Sequence, residues 1–71
     1  MNEVKAKGVL LQMGLGDRCD EYWFTSKGLT VTDLAELVEE GYLLLEKRDP
    51  NNKMSDNHYI LTQEGKDFAW Q

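Results

Sequence analysis

The sequence predicts a small α+β domain, mainly α, of three or four helices with a two-stranded β-hairpin. Three observations carry that expectation. The chain has 71 residues, enough for one core and one domain spanning 1–71. Residues 30–41 set apolar positions at helical spacing between a threonine and a glycine. Two short apolar runs, Tyr42–Glu46 and His58–Leu61, flank a polar stretch holding the turn-forming Asp49-Pro50-Asn51-Asn52.

Asn2–Met13 reads as the first helix. Val4, Gly8 and Leu11 fall on one stripe, and Ala6, Leu10 and Met13 on the adjoining one. Gly8 either costs about 1 kcal/mol or lets another element approach closely. Gly14-Leu15-Gly16 stops this helix. Asp17 then reads as the N-cap of a short helix over Arg18–Phe24, with a strand over Tyr22–Thr25 as the competing assignment. Ser26-Lys27-Gly28 is a turn in either case.

The clearest helix follows. Thr30 or Thr32 caps it, and Thr30-Val31-Thr32-Asp33 is close to a capping box with Asp in place of Glu. Leu34, Leu37 and Val38 form its apolar side and Gly41 its stop. Strand character resumes over Tyr42–Glu46 and again over His58–Leu61, with the long polar loop between. Thr62 caps a final helix, Gln63–Trp70, whose Phe68 and Trp70 are expected to face inward.

This order of elements is that of a winged helix. Leu37-Val38-Glu39-Glu40-Gly41-Tyr42-Leu43 resembles the end of a winged-helix third helix entering the first wing strand. Lys47-Arg48-Asp49-Pro50-Asn51-Asn52-Lys53 resembles the wing of the MarR group of bacterial regulators, and Leu61-Thr62-Gln63-Glu64-Gly65 is similar to that group's Leu-Thr-x-x-Gly signature. Asn52 stands where the group carries an acid and Lys53 where it carries a base. The resemblance implies a regulator's fold, with a wing whose basic tip reaches DNA. A small acidic chain of this kind suits a phage or mobile-element regulator.

Charge qualifies what the resemblance implies. Eight Lys and Arg face thirteen Asp and Glu, for a formal net charge of -5. Residues 1–28 and 47–71 are each balanced, so the whole excess lies in 29–46, on Asp33, Glu36, Glu39, Glu40 and Glu46. DNA binding draws most of its affinity from Lys and Arg on phosphates, and a recognition helix without a base opposes it. Asp33, Glu36 and Glu40 share a helix face by their spacing, either as a solvated surface or as a docking face for a basic partner.

Two functions follow from this pattern. The favoured one is a non-enzymatic regulatory module that docks on another protein through Asp33, Glu36 and Glu40, or through an exposed aromatic such as Trp23. The alternative is a DNA-binding transcriptional regulator using Thr30, Thr32, Lys47, Arg48 and Lys53.

The remaining signals point away from chemistry. Cys19 is the one cysteine and His58 the one histidine, so neither a disulfide framework nor a Cys-rich zinc site is expected. Asp17, Asp20 and Glu21 around Cys19 oppose a reactive thiolate. Gly14-x-Gly16 lacks the third glycine and the preceding strand of a dinucleotide motif. No catalytic residue, cofactor or metal is expected. No apolar run approaches the ~20 residues of a membrane span, and MNEVKAKG carries no apolar leader, so a cytoplasmic monomer or weak homodimer is expected.

Overall fold

A computed structural model describes residues 2–47 and 57–71. Asn2 accepts the Lys5 amide and opens α1, Glu3–Leu10. The helix ends earlier than Met13. The Gln12 and Met13 amides reach back only three residues, to the Val9 and Leu10 carbonyls at 3.0 Å each, which tightens the last turn. Ala6, Val9, Leu10 and Met13 are buried, whereas Val4, Gly8 and Leu11 point outward. Among the described residues, no atom of a neighbouring element would lie within 4 Å of a Cβ at Gly8, so none of them uses the space.

The largest difference from expectation follows. Residues Arg18–Asp20 form a strand, β1, rather than the start of a helix. The sheet is therefore three-stranded, in place of the expected two-stranded hairpin. Asp17 does not cap a helix, because its carboxylate accepts the Gly14 amide at 2.7 Å. Asp20 takes the capping role, accepting the Trp23 amide at 2.8 Å, and α2 runs Glu21–Ser26. The aromatic run Tyr22-Trp23-Phe24 is thus helical.

α3, Val31–Glu39, starts at Thr30 and closes as the glycine predicted. Gly41 sits at φ +83°. Its amide reaches the Val38 carbonyl at 3.0 Å, and the Tyr42 amide reaches Leu37 at 2.9 Å. This pair of bonds is a Schellman stop, which needs the left-handed residue that glycine supplies without steric cost.

β2, Leu43–Lys47, and β3, Asn57–Leu61, pair antiparallel, with Leu43 opposite Leu61 and Leu45 opposite Tyr59. β1 pairs on the other side of β3, so the sheet order is β1-β3-β2. Alternation puts Leu43, Tyr59 and Leu61 on the buried face. Arg18 and Glu46 form a surface ion pair at 3.3 Å. The loop turn Asp49–Asn52 lies outside the described residues.

α4, Gln63–Ala69, is capped by Thr62. Phe68 is buried as expected, but Trp70 falls past the helix end and is 73% exposed. Phe24, Leu10, Leu34, Leu37, Leu43 and Leu61 are the largest fully buried side chains, so three helices and two strands meet in one core.

Two glycines in helices have opposite roles. A Cβ at Gly65 would overlap the Tyr42 carbonyl oxygen and come within 2.8 Å of a Leu61 methyl. Gly65→Ala should destabilise the fold by about 3 kcal/mol, an overpacking cost set against backbone. Gly8→Ala should stabilise it by about 0.5–1 kcal/mol, because the space is open and the unfolded chain loses freedom. Urea denaturation of both variants checks the pair, and a neutral Gly65→Ala would refute the close approach.

Candidate docking groove

Thr30 and Asp33 form a reciprocal cap at the start of α3. The Thr30 hydroxyl accepts the Asp33 amide at 3.1 Å, and the Asp33 carboxylate accepts the Thr30 amide at 3.0 Å. The bond from the Thr30 amide is the main cause holding the Asp33 carboxyl below its ordinary value of 3.8. Asp33 is therefore engaged in folding α3, and of the three acids grouped by spacing only Glu36 and Glu40 meet at a common site.

That site is an open groove of about 350 Å³ lined by Glu3, Glu36, Glu39, Glu40 and Tyr42. Glu3 comes from the first turn of α1, and the other acids come from the second half of α3 and its C-cap. None of these lining residues is basic. Tyr42 is fixed from behind, its ring stacked on Phe68 at 4.2 Å and 11°. Phe68 in turn carries the Lys7 ammonium 5.1 Å from its ring centre.

Sequence spacing missed three groove residues. Glu39 follows Glu36 at i+3, a helical neighbour that grouping by Asp33 passed over. Glu3 arrives by tertiary packing, which spacing cannot show. Tyr42 lies at a helix-to-strand corner, where its ring direction depends on α4.

The acids sit at the wrong end of their helix for folding. A helix C-terminus carries partial negative charge, and carboxylates there are unfavourable by about 0.3–1 kcal/mol each. α3 has no basic residue in its last turn. The helix dipole therefore does not account for Glu39 and Glu40.

The other candidates lie apart from the groove. Trp23 is half-buried, edge-on to Phe24 at 5.0 Å, with Lys27 5.2 Å from its ring centre. The exposed member of the aromatic run is Tyr22, at 77%. Thr30 and Thr32 are exposed at the start of α3, beside Val31 and Ala35. Lys47 ends β2 opposite Asn57. Arg48 and Lys53 lie outside the described residues.

Cys19 is half-buried opposite Tyr59. Burial first, then Asp17 and Asp20, push its thiol above the usual 9.0. Burial, then the Glu21 charge, likewise raises the Tyr59 hydroxyl. His58 stands on the outer sheet face between Asp20 and Glu46 in register. Among the described residues no three His, Cys, Asp or Glu side chains are grouped to hold a metal, and no helix is long and apolar enough to cross a membrane.

No family model, curated protein or solved structure matches this chain.

Two outcomes are expected from these surroundings. Asp33 is more acidic folded than unfolded, so its contribution is present above pH 3.8 and is lost as pH falls through its folded value. Asp33→Asn should therefore flatten the acid limb of the stability–pH curve relative to the parent chain. Parallel curves would show that the cap does not discriminate charge. The raised Cys19 thiol should alkylate more slowly at pH 8 in the folded chain than in urea, followed by mass spectrometry; equal rates would contradict the burial.

Proposed function

We propose that this chain is a non-enzymatic regulatory module of winged-helix type that docks on a basic segment of a partner protein. The groove between α1 and the second half of α3 receives that segment. The single observation behind this reading is the convergence of Glu3, Glu36, Glu39 and Glu40 around one groove beside Tyr42 with no basic residue in its lining. A Lys or Arg side chain entering it gains charge-assisted hydrogen bonds from the carboxylates. The Tyr42 ring offers a face for the same cation. The groove's volume is at the small end for ligand sites, which suits one or two side chains rather than a large cofactor.

The winged-helix assignment draws support from the chain order α1, β1, α2, α3, β2, β3, α4 and from the sheet order β1-β3-β2. The same order favours a second reading, a DNA-binding regulator. A specific observation supports it: Asp33 is folded into its cap, and Thr32 and Ala35 are exposed near the start of α3. The contacts would come from Thr30 and Thr32, with Lys47 at the end of β2 and Arg48 and Lys53 from the sequence that follows it. The docking reading is preferred because no residue of α3 is basic.

Titration of the labelled protein with a Lys/Arg-rich peptide, read by amide shifts, separates the two. Docking predicts shifts at Glu36, Glu39, Glu40 and Tyr42. Glu36→Lys with Glu40→Lys should weaken peptide binding about tenfold or more, which is about 1.4 kcal/mol. Glu64→Lys with Asp67→Lys makes the same change in net charge on α4 and should weaken it far less. Equal losses in both double variants would overturn the groove as the site. Salt-sensitive shifts at Thr30–Ala35 with mixed-sequence duplex DNA, and none with peptide, would establish the second reading instead.

A further inference from the structure

We draw no further inference here: the strongest candidate, the outward stripe of α1 formed by Val4, Gly8 and Leu11, is an unpartnered apolar face opposite the core, and nothing in the structure shows what covers it.

Discussion

The backbone of Gly65 lies against the Tyr42 carbonyl, and the second half of the fold depends on that approach. Thr62 holds the same junction from the other side. Its hydroxyl oxygen accepts the Gly65 amide at 3.0 Å and its proton is shared between the carbonyls of Gly41, at 2.7 Å, and Tyr42, at 3.0 Å. One threonine thereby starts α4 and ties it to the corner that ends α3. The Tyr42 carbonyl is a group the sheet ladder does not satisfy, and the Thr62 amide also reaches it, at 3.3 Å. A buried carbonyl left without partners costs about 1–3 kcal/mol, so this junction is energetically substantial. It also sets the groove, because Tyr42 stacks on Phe68 of the helix that Thr62 begins.

Local devices were legible because their cause is local. Thr30 with Asp33, Gly41 after Val38, and Thr62 before Gln63 each satisfy amides or carbonyls within a few residues, and the sequence pattern names them directly. The two hairpin strands were legible within one residue at their ends, because short apolar runs flank a polar stretch with turn-forming residues; their register was not read from sequence. β1 was not. Three residues carry no period, and Arg18-Cys19-Asp20 has little strand propensity. Its pairing with Ile60, Tyr59 and His58 lies some forty positions away in the chain, and the loop before it is pinned by the Gly16 amide on the Leu61 carbonyl at 3.1 Å. Asp17 and Asp20 are chemically the same cap, so only that pairing decides which one starts α2.

The candidate site divides in the same way. That acids crowd residues 33–40 was plain from the sequence. Which of them act together was not, because spacing groups Asp33 with Glu36 and Glu40, whereas hydrogen bonding removes Asp33 and packing adds Glu3. A carboxylate near a helix start is explained by capping. A carboxylate near a helix end is not, and the dipole makes that distinction readable from sequence once the helix bounds are known.

α3 consequently has two ends of different electrostatic character. Its nine residues span about 13 Å at 1.5 Å per residue, which exceeds the screening length of about 8 Å at physiological salt. The exposed hydroxyls of Thr30 and Thr32 at the start are therefore largely shielded from Glu39 and Glu40 at the end. An approaching polyanion meets repulsion mainly at the groove, and an approaching cation meets attraction there.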